Sequence, residues 1–534
     1  MEARMERGVQ KRRHTVVGGV VILTFASLLV KVIGVLYKIP LTYLLGDEGM
    51  GYFNAAYTIY AWLYMISTAG LPIAVSILIS EADAQGDLLR VKKIVRIAGG
   101  ILFALGITTS LAMLFFSRVI ATLLGSPDAR YCMVAIAPTL FFICVTSLFR
   151  GYFQGYQSMA PTAVSQVMEA MGKLLLGMAF AKWASAVGKP LPIVCAYAIS
   201  GVTAGTAVGT LYLLVRYIFR RREEKTAQTN PGSKEKGKSL ARRLFRIALP
   251  VTVSASVLSL TGLIDLGMMI RRLVHIGYTQ VEATALFGNY TTLVVPVFNL
   301  PSILVTPIAT GVIPALSRAR TAGDLAGAAK LSDWAFRIAT LFAIPASIGL
   351  CVFARPILAL LYPAASVETA YQLLAYISPG VYFLCVLTVS NAVLQASGAS
   401  HIPMISMIAG GAVKTVAGFI LMGIPSVGIA GAPLGTVACY FVGLMINVGV
   451  MGKKAGYLPK VKEILLMPLT AGLPGIGLAG ILYDRFFQTK GALGTVFCIA
   501  GAVVFYLVFS LLFGVVKKED IAVLLGKHRR AREE

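Results

Sequence analysis

Continuously apolar blocks of about 20 to 27 residues recur along almost the whole chain, separated by short polar segments rich in Lys and Arg. Each block, wound as a helix, crosses a hydrocarbon core of ~30 Å. Strands of a β-barrel would instead alternate in polarity over ~10 residues, so that architecture is excluded. The pattern predicts an all-α polytopic membrane protein with fourteen transmembrane helices. The expected spans are 15–36 (bending on to 45), 52–79, 94–117, 131–149, 160–182, 193–219, 244–270, 284–311, 334–354, 371–397, 402–424, 427–452, 463–483 and 491–516. An even count puts both termini on one side of the membrane. The first span follows Arg4, Arg7, Lys11, Arg12 and Arg13 as a secretory signal would, but its apolar stretch is too long and no small-residue cleavage site follows.

Composition sharpens this picture. Of 534 residues, 57% are hydrophobic and 13% charged, about half the charged share of a soluble protein, so a water-soluble globule is excluded. Cys132, Cys144, Cys195, Cys351, Cys385, Cys439 and Cys498 stand singly in apolar blocks and read as small core residues, without disulfide or metal spacing. His14, His275, His401 and His528 fall in tails or near expected helix ends and share no ligand motif. No metal or other cofactor is expected, and the absence of a Walker-type run argues against ATP-driven work, leaving proton or membrane-potential coupling. Nothing in the chain reads as an enzyme. With the N-terminus inside, 35 of the 48 Lys and Arg fall in cytoplasmic tails and loops, which predicts cytoplasmic N- and C-termini. The net charge of +25 is then mostly a topology signal beside anionic lipid, and no nucleic-acid partner is needed.

The longest inner loop, 220–243, is polar, lacks apolar periodicity and contains Asn230-Pro231-Gly232, the composition of a flexible basic linker. The sequences on either side of it match at a nearly constant offset. Adding 241 carries Arg96-Ile97-Ala98 onto Arg337-Ile338-Ala339, Pro138 onto Pro379, Gln154 onto Gln395, Lys173 onto Lys414 and Gly177 onto Gly418. In the preceding loop the offset is 237, pairing Gly86-Asp87-Leu88 with Gly323-Asp324-Leu325. The expected organisation is therefore an N-lobe at 1–219 with spans 1 to 6, the linker at 220–243, and a C-lobe at 244–452 with spans 7 to 12. Spans 13 and 14 and a basic cytoplasmic tail occupy 453–534. Six spans per copy make this a parallel repeat about the membrane normal, an arrangement suited to alternating access.

An ionised side chain at the membrane midplane costs ~2.5 to 3.5 kcal/mol on insertion scales, so such residues mark cavities or pairs. Lys31 and Lys38 lie seven residues apart on one face of span 1, ahead of Pro40, which should bend the helix, and suit an anion such as a diphosphate, although Lys38 also fits an outer-interface position. Glu169 and Lys173 stand i, i+4 on span 5, in the order that favours a helical ion pair. Lys414 has Gly410 where that acid would be, and Asp265 on span 7 is its candidate partner, as a buried pair or a coupling group for protons or cations. Arg271 and Arg272 close span 7 at the outer end.

Two motifs add a family resemblance. The runs Arg150-Gly151-Tyr152-Phe153-Gln154-Gly155-Tyr156 and Met159 to Glu169, with Gly46-Asp47-Glu48-Gly49-Met50-Gly51-Tyr52, resemble the stage V sporulation protein B and YtgP branch of the multidrug/oligosaccharidyl-lipid/polysaccharide exporter superfamily. The resemblance covers essentially the whole chain. It implies two six-helix lobes and the flipping of an undecaprenyl-pyrophosphate-linked saccharide, such as lipid II, across the cytoplasmic membrane, in cell-wall or sporulation work beside cell-wall synthesis machinery. It also implies that Lys31, and approximately Lys38, match basic cavity residues of MurJ-like flippases. Lys31, Lys38, Arg150, Glu169, Lys173 and Arg271 form the candidate substrate-binding set, with Asp265 and Lys414 as the coupling or paired set. The chain departs from that pattern in having no Lys or Arg between Glu282 and Arg318, and in placing Lys414 and Gly418 where some relatives supply sodium ligands. A cation-coupled multidrug antiporter of the same fold, or a non-transporting scaffold for envelope or spore-cortex synthesis, are the alternative functions. Three in-span lysines against two acids favour an anionic cargo.

Overall fold

The computed structural model describes residues 2–224, 237–362, 367–399, 401–487 and 491–515. Half of the basic linker, 225–236, and the basic tail from 516 onward lie outside the described residues. The helices in chain order are α1 (Glu2–Thr68), α2 (Leu71–Ala84), α3 (Leu88–Leu123), α4 (Arg130–Gly155), α5 (Ala160–Ala186) and α6 (Leu191–Glu224). They continue with α7 (Gly237–His275), α8 (Gln280–Asn289), α9 (Val295–Thr321), α10 (Leu325–Val352), α11 (Ala354–Leu361) and α12 (Val367–Ile377). The last are α13 (Pro379–Ala396), α14 (His401–Met422), α15 (Gly431–Lys454), α16 (Met467–Leu482) and α17 (Gly491–Leu512). The chain is an all-α polytopic membrane protein, and among the described residues there is no strand.

Eleven helices among the described residues are long and apolar enough to cross a membrane. One of them, Phe25–Ala84, covers both of the first two expected spans, while α5 and α7 are not among the eleven, so the number fourteen stays an expectation. Spans 1 and 2 are joined because α1 continues through Pro40 and breaks only at Gly46, where φ is +65° and ψ −176°. A side chain in that region would crowd the backbone, which is why the bend falls on a glycine and not on the proline six residues earlier. The expected second span is itself interrupted between Thr68 and Leu71, where Pro72 starts α2. On α3 the exposed Phe103, Ile107, Leu111 and Phe115 recur every four residues and form one apolar stripe, the face a helix offers to lipid.

The structure divides into two compact units: residues 1–271 with 279–288, and residues 272–278 with 289–534. The sequence repeat begins its second copy at span 7, but by contacts most of α7 groups with the first unit. Leu240, Leu244 and Ala248 of α7 join a core with Leu71, Val75 and Leu78 of α2 and Phe149, Tyr152 and Phe153 of α4, and Gly70 approaches the Ala248 carbonyl too closely for any side chain.

Within each unit the same local solutions recur. Asp87 caps α3 by accepting the Arg90 N–H, and Asp324 caps α10 by accepting the Gly327 N–H. In the first unit a Cβ on Gly201 of α6 would collide with the backbone of Gly177 on α5, and one on Gly209 would meet the Ser165 carbonyl. In the second unit Gly435 of α15 meets Gly418 of α14, and Gly443 faces the Ser406 carbonyl. Gly177 and Ser165 map onto Gly418 and Ser406 by the offset of 241 read from sequence, so the duplicated positions serve the same close helix crossing twice. Polar side chains tie other helix pairs. In the first unit Thr146 and Thr210 share a hydrogen bond of 2.6 Å, and in the second Asn447 donates to Ser390 Oγ at 2.8 Å and Asn391 Oδ1 at 2.7 Å.

Candidate functional site

A cavity of about 390 Å³ opens inside the first unit, walled by both arms of α1, by α4, α5 and α6. Helical spacing explains its lining. Tyr57, Tyr60, Ala61 and Tyr64 fall at i, i+3, i+4 and i+7 on the second arm of α1, and Gln166, Glu169, Ala170 and Lys173 repeat that spacing on α5. Each set therefore presents one face. The first arm of α1 contributes Lys31, Gly34 and Tyr37, and α4 contributes Arg150. The Tyr37 hydroxyl donates to the Ala198 carbonyl at 3.2 Å, fixing the first arm against α6.

Four of the six substrate-binding candidates meet here: Lys31, Arg150, Glu169 and Lys173. Lys31 is exposed at the cavity. Lys38 is half-buried and does not line it, although it lies within electrostatic reach of Lys173. Arg271 is exposed beside the turn at Gly125 and is not part of the lining. Its neighbour Arg272 donates from Nε to the Phe419 carbonyl at 3.0 Å and covers the Phe419 ring at 4.0 Å, an anchoring role.

The acid on α5 does not pair as its spacing suggested. Glu169 Oε2 accepts from Arg150 Nη2 at 3.0 Å, with the two side chains 23% and 12% exposed. Among the described residues no ion pair within 4.0 Å joins Glu169 to Lys173. Arg150 also donates from Nε to Ser165 Oγ at 3.2 Å, and Ser165 in turn donates to the Thr162 carbonyl at 2.7 Å. That donation aims a lone pair of Ser165 at the arginine, so the guanidinium is held by two groups from α5 at once, something a lysine ammonium one turn further along cannot reproduce. Released from Glu169, the Lys173 ammonium sits 5.0 Å from the Tyr37 ring centre and 4.8 Å from that of Tyr57, a double cation–π contact. Among the described residues, the cavity thus carries three cationic side chains against one carboxylate that already has a partner.

Asp265 and Lys414 are both half-buried, Asp265 in the first unit and Lys414 in the second. Sequence reasoning passed over the tyrosines and Gln166. Their signal was available, because Tyr57, Tyr60 and Tyr64 put three hydroxyl-bearing rings on one face of an otherwise apolar span.

Comparisons with known proteins agree with the motifs. A family model described as polysaccharide biosynthesis protein matches residues 16–320, and one described as MatE matches residues 290–420. Stage V sporulation protein B of Bacillus subtilis (strain 168) is 27% identical over 95% of this chain and 97% of its own length. The lipid II flippase MurJ of the same organism is 25% identical over 86% of this chain and 87% of its own. A solved structure of a lipid II flippase MurJ in an inward closed conformation superposes with a TM-score of 0.68 at 15% identity, covering 92% of this chain and 98% of that one, which shows a shared fold. With a model spanning more than half its length, and with the resemblance carried by its own Arg150 to Tyr156 and Met159 to Glu169 motifs, the chain belongs to the polysaccharide biosynthesis protein family.

Proposed function

We propose that this protein is a flippase that moves a polyprenyl-diphosphate-linked saccharide, lipid II or a related envelope precursor, from the inner to the outer leaflet of the cytoplasmic membrane. The observation that carries the reading is the charge of the cavity: Lys31, Arg150 and Lys173 face it, and Glu169 is the sole carboxylate among the described residues of its lining. With Glu169 offset by Arg150, the two lysines match the two negative charges of a diphosphate diester. At about 390 Å³ the cavity is near the lower end of the ~300 to 1,000 Å³ range of small-molecule sites, so it suits a headgroup and not a polyprenyl tail. The names of the relatives, a lipid II flippase among them, support the same cargo class. Alternating access of two repeats, N- and C-termini in the cytoplasm, and work beside cell-wall synthesis enzymes complete the proposal.

The competing reading is a multidrug antiporter, favoured by the MatE match and by the tyrosine wall, which suits flat organic cations. Two lysines in the same cavity oppose it. Reconstitution into liposomes separates the readings: labelled lipid II and other polyprenyl-diphosphate sugars are supplied in one leaflet and their appearance in the other is measured against ethidium-type cations. Flipping of at least one diphosphate lipid supports the proposal. Cation transport with no lipid flipping overturns it.

A further inference from the structure

Beyond its charge, the cavity has a second, uncharged face. Gln166 Oε1 is shut off from solvent and has no hydrogen-bond partner, although its residue lines the cavity. Leaving such a buried acceptor unpaired costs ~1 to 3 kcal/mol, so a turn of the Gln166 side chain that brings it onto a ligand's donor in the cavity is favoured. Turning the amide over would exchange acceptor for donor and still leave a buried group in need of a partner. Beside it, Tyr60 and Tyr64 tilt at 53° with ring centres 5.8 Å apart, and Tyr57 and Tyr60 at 50° and 5.5 Å. Tyr60 is only 4% exposed and Tyr57 stacks on Phe53, which leaves the half-buried Tyr64 as the ring with an apolar face and a hydroxyl edge for a ligand.

The positions along the helices give this face a direction. Lys173 lies over Tyr57, whereas Gln166 is seven residues back along α5, ~10 Å at the helical rise. A diphosphate at the lysine end places the group it carries at the tyrosine and glutamine end. We propose that Tyr64 and Gln166, backed by the buried Tyr60, form a carbohydrate subsite that holds the sugar ring joined directly to the diphosphate, an inference that rests on the diphosphate reading above. A sugar ring has an apolar C–H face for Tyr64 and a rim of hydroxyl or acetamido N–H donors for Gln166. An acyl chain would cover the rings but leave Gln166 unpaired, and an organic cation would meet Lys31 and Lys173.

The test uses the full-length protein in nanodiscs and two probes: undecaprenyl diphosphate, and the same lipid bearing a single N-acetylhexosamine. Wild-type protein should prefer the sugar-bearing lipid by roughly ten-fold, the worth of a hydrogen bond and a ring contact. Gln166→Leu and Tyr64→Leu should bring that ratio close to one, and Tyr64→Phe should keep the preference. An unchanged ratio in both leucine variants overturns the subsite and leaves the diphosphate reading standing. Loss of both lipids by variants whose thermal unfolding matches wild type also overturns it, since the residues would then not discriminate the sugar. Wild-type protein that binds neither probe overturns the diphosphate reading itself.

Discussion

Breaking the Arg150–Glu169 pair tests whether the cavity holds a true buried ion pair or an ordinary polar contact. The ions stand 3.0 Å apart with side chains only 12% and 23% exposed, and Ser165 fixes the arginine from the other side. Removing one partner of a buried pair typically costs ~3 to 5 kcal/mol because the other charge is left without compensation. Interhelical hydrogen bonds in membranes average only ~0.6 kcal/mol. Since the pair borders an open cavity from which water can reach the abandoned charge, the lower end of the first range applies. Arg150→Met and Glu169→Met should therefore each cost about 3 kcal/mol, while the double variant should cost about 1 kcal/mol or less and not the roughly 6 kcal/mol of simple addition. Reversible unfolding of the purified protein in mixed micelles, titrated with sodium dodecyl sulfate, gives the three values on one scale. Single-variant effects that add to within ~0.5 kcal/mol would show that the two residues are not coupled and would refute the reasoning.

Two further expectations follow from the same structure. Lys31→Ala should impair lipid flipping without lowering the amount of folded protein in the membrane, and Lys31→Arg should retain more activity because the charge is kept; a wild-type flipping rate for Lys31→Ala refutes its role. Gly201→Ala should cost about 1 to 3 kcal/mol by forcing α6 off the Gly177 backbone, while Gly100→Ala, with nothing within 4 Å of its added Cβ, should be neutral or slightly stabilising in the same unfolding assay.

The sequence by itself determined that the chain is a bundle of membrane helices, because partition into lipid depends on the one-dimensional run of apolar residues and on little else. It also located the duplication, since Asp87 and Asp324 cap equivalent helices and Gly177 and Gly418 sit at equivalent crossings. It picked out Lys31, Glu169 and Lys173, whose charge is conspicuous in an apolar span and whose spacing alone decides which helix face they share. Partner choice was beyond it. Spacing i, i+4 made Lys173 the near neighbour of Glu169, yet Arg150, nineteen positions away, wins because a planar guanidinium can take Glu169 and Ser165 together while the lysine ammonium settles on Tyr37 and Tyr57. The site of the first bend was equally a tertiary matter: Pro40 carried the sequence signal, and Gly46, with the freedom to take positive φ, carries the turn. The grouping of α7 with the first unit, across a linker that marks the boundary of the repeat, depends on how Leu240, Leu244 and Ala248 pack against α2 and α4. The uncharged half of the cavity was hidden for the same reason, because tyrosine and glutamine acquire meaning only when packing decides which of their atoms are covered and which are left without a partner.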